Sequence, residues 1–434
     1  MAFAYDDVPY DTEACSEAHP VAMATIARLH GQDPAPARRA RVLEIGCGDG
    51  ENLIAAATYL PEATFVGFDL AAAAIEAGKA VAPPNVRLFA GDIMKNHDLG
   101  EFDYVVAHGL YSWVPPPVQA ALLALTRRSL APHGVAFLSM NALPGWDYRR
   151  ALRELALDRV RDVTDPEARV RGALAAIAEI ATGGEGAPGY LGRLAAAAAS
   201  YLAHVEAATP PEAPFSRYVF HDLLAEYNRP VGVEELQREV AAHDLRVLGE
   251  TPLQAPFTAS ALGSLRAFMA ESELPFLQVL LVRDDGGADR GVVLERVNDL
   301  WLWADFAPAG DAFRTSTGAL VRPPRGSGLE RATRHAPGFV CVRELTEDDP
   351  ELAAALLEGF RAGVFTLRSE PPVLGPEVAP HVRARARRGQ HVLTNAIHRS
   401  FRVSPAELTM VRDATFDTET HTRFRRHLFL GATK

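Results

Sequence analysis

The sequence has only three cysteines, Cys15, Cys47 and Cys341, widely spaced in a chain of 434 residues. This spacing excludes a disulfide framework and a cysteine zinc site, and it predicts free thiols in a reducing cytoplasm. Uninterrupted apolar stretches of roughly 18 residues, the length that a membrane helix needs, are absent. The N-terminus lacks the basic and apolar regions of a secretion signal. We therefore expect a cytoplasmic protein with no membrane insertion and no bound metal.

An excess of basic charge is also missing. Lys and Arg number 44 against 55 Asp and Glu, which gives a net charge of −11 at pH 7. Proteins that bind nucleic acids usually carry a basic patch, because neutralising phosphates dominates their affinity. The one arginine-dense run, residues 381–390, is typical of a solvated helix face. Nucleic acid is therefore not an expected partner.

What the sequence does contain is an alternation of apolar runs and amphipathic segments between Arg41 and Asn141. The apolar runs are R-V-L-E-I, T-F-V-G-F, V-R-L-F-A, F-D-Y-V-V-A and V-A-F-L-S-M. Strands that alternate with helices predict right-handed crossovers and a mainly parallel sheet. The predicted fold class of this part is therefore α/β.

Shifts in composition divide the chain into five segments. A leader at 1–37, rich in Tyr, Asp, Pro and His, precedes the α/β part at 38–146. Helical periodicity and an alanine-rich tract mark 147–214, which ends in the linker T-P-P-E-A-P. A smaller α+β segment at 215–305 ends in the strand-like runs L-Q-V-L-L-V-R and G-V-V-L-E-R-V. The last segment, 306–434, is rich in Pro and Arg with short helices, and the sequence predicts no chemistry there.

A glycine-rich loop follows the first apolar run, in V-L-E-I-G-C-G-D-G-E-N-L at 42–53. A dinucleotide loop needs G-x-G-x-x-G/A, but the third position counted from Gly46 is Glu51, and no G-K-[ST] of a P-loop follows. Together with Glu44 and Asp49, Glu51 would repel a pyrophosphate. The same acids suit a cationic ligand without phosphate. S-adenosylmethionine, with a sulfonium and an ammonium, fits this description.

Two further acids end the next two predicted strands. Asp69 is placed to accept hydrogen bonds from ribose hydroxyls, and Asp92 from an adenine amino group, with Ile93 offering an apolar face to the ring. The alternative is that either Asp simply caps a helix. Because the carboxyl ends of parallel strands meet at one edge of the sheet, these acids and the glycines together predict a cofactor crevice.

The motifs L-E-I-G-C-G-D-G, D-L and G-D-I resemble those of the class I S-adenosylmethionine-dependent methyltransferases, over about residues 40–145. The resemblance implies a Rossmann-like, doubly wound, mainly parallel seven-stranded sheet, with S-adenosylmethionine as the cofactor. The predicted cofactor-binding residues are Tyr10, His19, Glu44, Gly46, Cys47, Gly48, Asn52, Asp69, Leu70, Asp92, Ile93 and His108.

A narrower resemblance rests on the leader Y-D-D-V-P-Y-D-T-E-A-C-S-E-A-H-P, on H-G-L-Y-S-W-V-P and on S-M-N-A-L-P-G-W. These resemble a bacterial subfamily in which a methyltransferase regulatory domain follows, and R-Y-V-F-H-D-L-L-A-E-Y-N-R-P-V at 217–231 resembles the start of that domain. Its best-known members are similar to rickettsial protein-lysine methyltransferases, which implies a lysine ε-amine as acceptor. The sequence departs from the subfamily at Glu51, in D-L-A-A-A-A-I after Asp69 and in P-V-G-V-E-E-L, so the cofactor site carries over better than the substrate specificity.

Aromatic residues follow the fourth predicted strand, which ends at His108. Tyr111 and Trp113 lie on the next loop, where their rings can line a channel that lowers the pKa of a lysine acceptor; ordinary core packing is the alternative. His108 is interpreted as a general base, a cofactor contact or a structural residue. The predicted catalytic residues are Tyr111, Trp113 and His108, and the predicted substrate-binding residues are Tyr5, Tyr111, Trp113 and Asn141.

The leader is predicted to fold over the cofactor as a lid, because Tyr5, Tyr10 and His19 cluster in a segment that cannot join the sheet. A disordered tail is the alternative to the lid. For Asn141, the alternative to substrate binding is the role of a turn residue. The helical segment 147–205 is a candidate for forming a homodimer, although apolar helices usually pack within their own chain.

Three functions are left open by the sequence. The first is methyl transfer to a lysine ε-amine of a protein, and the second is N-, O- or C-methylation of a small molecule or peptide natural product. The third is a non-catalytic cofactor-binding protein that regulates another enzyme. An acidic protein would attract basic segments, whereas a small acceptor would need a closed pocket.

Overall fold

The structure is a computed structural model. It describes Val8 and residues 13–95, 98–209, 215–254, 260–272, 274–287, 289–315, 317–347, 349–374, 377–387, 390, 392–396, 398–427 and 429. Tyr5 and Tyr10, which were predicted to contact substrate and cofactor, lie outside the described residues.

The five strands that the apolar runs predict are all present. They are β1 (Arg41–Ile45), β2 (Thr64–Asp69), β3 (Val86–Ala90), β4 (Phe102–Ala107) and β5 (Leu130–Asn141). The helices of this part are α1 (Pro20–Leu29), α2 (Glu51–Tyr59), α3 (Ala72–Lys79) and α4 (Pro116–Ser129). Successive side chains of β1 are buried on both faces of the sheet, which is why its sequence is a continuous apolar run rather than an alternating one.

The strands form a seven-stranded sheet in the order β3-β2-β1-β4-β5-β7-β6, where β6 is Leu245–Glu250 and β7 is Phe276–Arg283. Strands β1 to β5 are parallel, and β7 pairs antiparallel with both β5 and β6. The predicted Rossmann-like, mainly parallel seven-stranded sheet is thus confirmed. The carboxyl ends of β1, β2, β3 and β4 meet at one edge.

The sheet does not end at residue 146, where the sequence placed a boundary. Strands β6 and β7 come from the segment 215–305, so the sheet is completed only after the helical segment. The run G-V-V-L-E-R-V is not a strand, because Leu294–Asp299 forms a 3-10 helix. The reason is a long-range contact: the Val293 N–H donates to the carbonyl of Leu29 at the end of α1 (2.7 Å) rather than to a neighbouring strand.

The segment after β5 is helical, as its periodicity predicts. It contains α5 (Asp147–Arg159), α6 (Pro166–Gly183), α7 (Gly189–Ala208) and α8 (Arg217–Asp222), and α9 (Val233–Ala241) and α10 (Ala261–Ser272) follow on either side of β6. Helices α5 to α8 share one hydrophobic core, which includes Leu152, Ile177, Ala198 and Val219. In the part of the chain that the structure describes, no helix is both long and apolar enough to cross a membrane.

The C-terminal part is built from short elements. Its strands are β8 (Trp301–Ala304), β9 (Ala307–Ala309), β10 (Ala312–Arg314), β11 (Leu320–Val321), β12 (Gly338–Cys341), β13 (Thr366–Arg368), β14 (Val392–Thr394) and β15 (Ser400–Arg402). Its helices are α11 (Gly328–Thr333), α12 (Val342–Thr346), α13 (Pro350–Arg361), α14 (Pro380–Arg387), α15 (Pro405–Asp413) and α16 (Thr418–Arg426). Leu302 and Leu356 share one core with Met23 and Val42, so this part packs directly against the sheet and α1.

Candidate functional site

The glycine loop between β1 and α2 has a backbone that favours glycine. Gly46, Gly48 and Gly50 have φ angles of 74°, 56° and 78°, in the left-handed region that L-residues rarely adopt. The N–H groups of Gly46 and Cys47 donate to the carbonyl of Phe68 in β2, at 2.9 and 3.2 Å. The loop is therefore fixed across the edge of the sheet.

Asp69 at the end of β2 holds this loop from the other side. One carboxylate oxygen accepts the N–H of Gly48 (2.9 Å) and the other accepts the N–H of Ala71 (2.8 Å). Asp92 similarly accepts the N–H of Met94 (2.9 Å) just after β3. Both aspartates thus make turn-type contacts, but each carboxylate oxygen has a second lone pair that can accept from a ligand.

Two hydrophobic residues flank these acids. Leu70 is 53% exposed beside Asp69. Ile93 is half-buried against the core beneath the sheet edge. The structure therefore brings Asp69, Leu70, Asp92 and Ile93 to the crevice edge, and their roles in cofactor binding stay predictions.

Glu44 is a buried carboxylic acid next to the loop. Its side chain accepts a hydrogen bond from the Asn52 amide (3.2 Å), whereas its Oε2 has no hydrogen-bond partner among the described residues. Burial raises the pKa of Glu44 to about 8, and the neighbouring Asp49 and Asp69 act in the same direction, against the hydrogen bond from Asn52. A nearby cation would stabilise the ionised form. Burial also raises the pKa of the Cys47 thiol.

Glu51 does not belong to this acidic set, contrary to the argument from the sequence. It is 4% exposed, and its carboxylate lies 3.0 Å from Nε2 of His381 and 2.5 Å from Nη1 of Arg385, both in α14. Burial opposes its ionisation, but the hydrogen bonds and charges of these two side chains outweigh burial and lower the pKa of Glu51. Glu51 binds the C-terminal part of the chain and does not face a ligand.

Asn52, in the first turn of α2, is hydrogen-bonded to Glu44 in β1, to the leader and to the C-terminal part. Its carbonyl oxygen accepts the N–H of Cys15 in the leader (3.0 Å) and a hydrogen bond from Nε2 of His398 (2.7 Å). The ring of His398 packs against that of His19, with 4.9 Å between centroids. The predicted cofactor residues Glu44, Asn52 and His19 are therefore brought together, and His398 joins them from the C-terminal part.

The described part of the leader covers the site. Ser16–Ala18 is a 3-10 helix, and His19 caps α1 by accepting the N–H of Val21 at Nδ1 (3.1 Å). Further back, the carbonyl of Val8 contacts Nε2 of His221 in α8 (2.7 Å). Residues 13–17 thus line the site, whereas Val8 contacts the helical segment, and the lid stays a prediction.

A cavity of about 460 Å³ lies between the leader, the end of β4 and the C-terminal part. His108 lines it and hydrogen-bonds through Nδ1 to the Ser139 hydroxyl (3.1 Å), which also accepts the N–H of Gly109 (2.7 Å). The other lining residues are Glu13, Ala14, Cys15, Ser16, Glu17, Thr317, His398, Arg399, Ser400 and Phe401. Burial lowers the pKa of His108 to about 4, against the charge of Glu17, so this imidazole is neutral at pH 7 and a weak base.

The structure does not bring Tyr111 to this cavity. Tyr111 is fully buried in the core, and its hydroxyl donates to Glu239 of α9. The core-packing alternative therefore describes Tyr111 better than the ring-lined channel, because the segment Tyr111–Trp113 folds as a 3-10 helix that turns the ring inward.

Trp113 and Asn141 lie next to this turn. Trp113 is half-buried with its ring edge-on to that of Trp146, at 6.4 Å. Asn141 is 2% exposed; its N–H donates to the Ser112 hydroxyl (2.9 Å), and its side-chain Nδ2 has no hydrogen-bond partner in the described ranges. Neither residue lines the cavity.

Comparison with known proteins agrees with this geometry. Residues 42–134 match the family described as "Methyltransferase domain". This segment is a class I methyltransferase domain. The predicted methyltransferase domain is confirmed for these residues, and S-adenosylmethionine, the methyl donor of such domains, is the cofactor that the domain implies.

The relatives of the methyltransferase domain extend the likeness. PKMT2 from Rickettsia typhi, solved in complex with AdoHcy, has a TM-score of 0.79 at 20% identity over 98% of this chain and 93% of that chain, which shows a common fold. Two uncharacterized proteins of Rickettsia prowazekii are similar in sequence. RP028 is 40% identical over 158 residues (35% of this chain), and RP789 is 30% identical over 251 residues (57% of this chain). The chain spans 63% and 44% of their respective lengths.

Several residues around the methyltransferase domain's crevice were missed by the sequence argument. Cys15, Glu17, His398 and Arg399 line the cavity, and the last two come from a segment with no motif that marks them. Only the acidic and polar leader pattern E-A-C-S-E-A-H was a usable signal. Within the described ranges, no group of three or more His, Cys, Asp or Glu side chains is arranged to hold a metal ion.

Proposed function

We propose that this protein is a cytoplasmic S-adenosylmethionine-dependent methyltransferase whose acceptor is a lysine ε-amine of a protein. The choice of cofactor is supported by Glu44, a buried acid beside the glycine loop. The Oε2 atom of Glu44 has no hydrogen-bond partner within the described part of the chain. An unsatisfied buried carboxyl oxygen costs free energy unless a donor completes it. A ligand cation at this position supplies that donor.

The residues around Glu44 fit the other parts of such a cofactor. The glycine loop offers close backbone approach, and Asp69 and Asp92 offer carboxylate acceptors at the next two strand ends. When bound, S-adenosylmethionine supplies an electrophilic methyl group on a sulfonium. The chain's own residues then orient the acceptor and exclude water, the main demands of an in-line displacement.

The cavity beside His108 is the place that we assign to the acceptor. Two carboxylates, Glu13 and Glu17, line it together with one guanidinium, that of Arg399, so ionised side chains give it a net charge of −1. A basic side chain is attracted to such a cavity. A lysine must also lose a proton, which costs about 4 kcal/mol near pH 7.5 in water. The two carboxylates raise this cost because they stabilise the ammonium, whereas burial beside the neutral imidazole of His108 lowers it.

A small-molecule or peptide acceptor is the second candidate, and one observation favours it. The cavity volume of about 460 Å³ lies within the range of small-ligand pockets, about 300–1,000 Å³. The third candidate, a non-catalytic cofactor-binding protein, predicts cofactor binding without transfer to either class of acceptor.

Transfer of a tritiated methyl group separates these functions. The purified protein is incubated with methyl-tritiated S-adenosylmethionine and a bacterial lysate, and protein bands and the low-mass fraction are counted separately. We expect label in protein that acid hydrolysis releases as methyllysine, and a loss of that label with Glu17→Gln. Label confined to the low-mass fraction favours the second candidate. Cofactor binding by calorimetry without any label favours the third.

We also propose that the helical segment forms a homodimer. Tyr190 and Leu191, neighbours at the start of α7, are 56% and 51% exposed. Large apolar side chains exposed together mark protein interfaces. Sedimentation equilibrium of the purified chain tests this: a dimer mass that Tyr190→Ser together with Leu191→Ser lowers to a monomer is expected, and a monomer mass for the unsubstituted chain contradicts it.

A further inference from the structure

We propose that His398, from the C-terminal part of the chain, completes the methyltransferase domain's cofactor site. Together with His19 it recognises the α-amino-acid end of the ligand, its ammonium and its carboxylate. This inference rests on the proposed function for the identity of the ligand. It concerns residues that the glycine-loop motif does not reach.

The hydrogen bonds of Asn52 fix the protonation of His398. The Asn52 amide nitrogen donates to Glu44, and its carbonyl oxygen accepts from the N–H of Cys15, so the orientation of the amide is determined from both ends. Nε2 of His398 lies 2.7 Å from this carbonyl oxygen and must donate to it. Nδ1 of the neutral ring is therefore an unprotonated acceptor, and it has no hydrogen-bond partner among the described residues.

The protonation of His19 is fixed in the opposite sense. Its Nδ1 accepts the N–H of Val21 as the cap of α1, so the proton of the neutral ring is on Nε2. This Nε2–H group is buried, and in the described part of the chain it too has no partner. Burial, with His398 and Arg368 nearby, lowers the pKa of His19, and burial lowers the pKa of His398 to about 3, so both rings stay neutral.

These unsatisfied groups form one cluster. The rings of His19 and His398 are 2% and 1% exposed with centroids 4.9 Å apart, and Asn52 links His398 to Glu44. With Glu44 ionised, the cluster offers one donor, Nε2–H of His19, and two acceptors, Nδ1 of His398 and Oε2 of Glu44. A carboxylate satisfies the donor and an ammonium satisfies the acceptors, whereas the diphosphate bridge of a dinucleotide, which has no donor at pH 7, would leave both acceptors unsatisfied.

The nearby positive charge agrees with this assignment. Arg368 in β13 is 5% exposed, and its charge adds to burial in lowering the pKa of both imidazoles. Its Nε also lacks a hydrogen-bond partner in the ranges that the structure describes. A ligand carboxylate towards Arg368 would match the guanidinium charge, and a ligand ammonium towards Glu44 would match the carboxylate charge.

The backbone at His398 supports a built site rather than a chance contact. His398 has a φ of 65°, an unfavourable conformation for a residue other than glycine that persists where the surroundings impose it. Here Asn395 imposes it: its carbonyl accepts the N–H of His398 (2.9 Å), and its side chain accepts the N–H of Arg399 (2.9 Å). The loop therefore holds the imidazole in place before any ligand binds.

Two ligands that differ only in the amino-acid end provide the test. Calorimetry with the full chain compares S-adenosylhomocysteine with 5′-methylthioadenosine, which lacks the α-amino and carboxylate groups. His398→Gln keeps a donor to Asn52 but places no acceptor at the position of Nδ1, because its carbonyl oxygen lies one bond further from the backbone. His19→Asn keeps the cap of α1 but loses the Nε2–H group. We expect each substitution to lower the affinity for S-adenosylhomocysteine by about tenfold. The affinity for 5′-methylthioadenosine should fall by less than about twofold.

His30→Gln is the matched control. His30 is also a buried imidazole with an unpartnered Nε2 in the described structure, but it lies at the opposite end of α1. Equal losses of affinity for the two ligands, or no loss of affinity in His398→Gln and His19→Asn, would overturn the inference. The unpartnered groups of the cluster would then be explained by an internal water molecule. If the unsubstituted protein binds neither ligand, the proposed function fails instead. Unfolding midpoints of all variants show whether each one folds.

Discussion

Glu51 and Arg385 form an ion pair, 2.5 Å between nitrogen and oxygen, that joins the first residue of α2 to helix α14 of the C-terminal part. Their side chains are 4% and 7% exposed, so the pair is almost completely removed from water. Glu51 directly follows the glycine loop at Gly50. The C-terminal part of the chain is thus anchored next to the cofactor crevice.

Arg385→Met should lower the free energy of unfolding by about 3 kcal/mol, because it leaves the buried Glu51 carboxylate with only His381 as a partner. Chemical denaturation at pH 7 measures the loss. The control is Arg39→Met, which breaks the exposed pair with Glu62 (71% and 61% exposed) and should cost less than about 1 kcal/mol. Similar losses in the two variants would mean that the buried pair has no special role.

Glu44→Gln should weaken binding of S-adenosylmethionine by about tenfold at pH 8 and remove most of its pH dependence. The pKa of Glu44 is about 8, so a cation must bind with loss of its proton at lower pH. Affinity of the unsubstituted protein therefore rises from pH 6 to about 8 and then levels off. Calorimetry over this range provides the measurement, and parallel pH profiles for the two proteins would contradict the assignment.

The stability of the protein without ligand should change with pH in the opposite direction. The folded-state pKa of Glu44 is raised above the ordinary value of 4.5, so the fold prefers the protonated acid. Its contribution is complete below pH 4.5 and is lost as pH rises through about 8. Glu44→Gln, which cannot ionise, should therefore gain stability relative to the unsubstituted protein as pH rises. A constant difference between their unfolding free energies from pH 5 to 8.5 would exclude this coupling.

Asp69→Ala should reduce cofactor affinity by about tenfold or more, because it removes an acceptor for the ligand and releases the N–H of Gly48 from its contact. Calorimetry with S-adenosylhomocysteine measures the affinity. Asp103→Ala is the matched control, since Asp103 accepts the N–H of Arg41 (2.8 Å) at the opposite end of β1. Loss of affinity in both variants would indicate a general effect on the sheet.

Trp113→Ala should reduce turnover while leaving cofactor affinity within about twofold, because its half-buried ring, although outside the cavity, packs against Trp146 and steadies the loop that begins at His108. Tyr111→Phe should act differently: it removes the hydroxyl bonded to Glu239 in the core and should lower the unfolding midpoint with little effect on turnover. Initial rates and thermal unfolding of both variants separate the two roles. A turnover loss in Tyr111→Phe without a change in stability would place this tyrosine in the site.

Much of the cofactor side could be predicted from sequence because it depends on local backbone geometry. Gly46, Gly48 and Gly50 mark a tight loop, and Asp69 and Asp92 mark strand ends at fixed distances along the chain. Tyr111 could not be placed in this way, since the direction of its ring depends on the 3-10 turn and on Glu239 of a helix more than 100 residues later. Aromatic residues next to a site and aromatic residues beneath it have the same local pattern.

The sequence by itself determined the parallel sheet, the glycine loop and the acids at successive strand ends, because periodicity and strand connectivity place these features through short-range rules. Only the tertiary structure decided the partners of the loop. Glu51 looked like a ligand-facing acid and the run at 381–390 like a solvated helix face, yet each neutralises the other in a buried pair. His398 reaches Asn52 across 346 positions. Burial and charge pairing over such separations arise from packing, which no local pattern records.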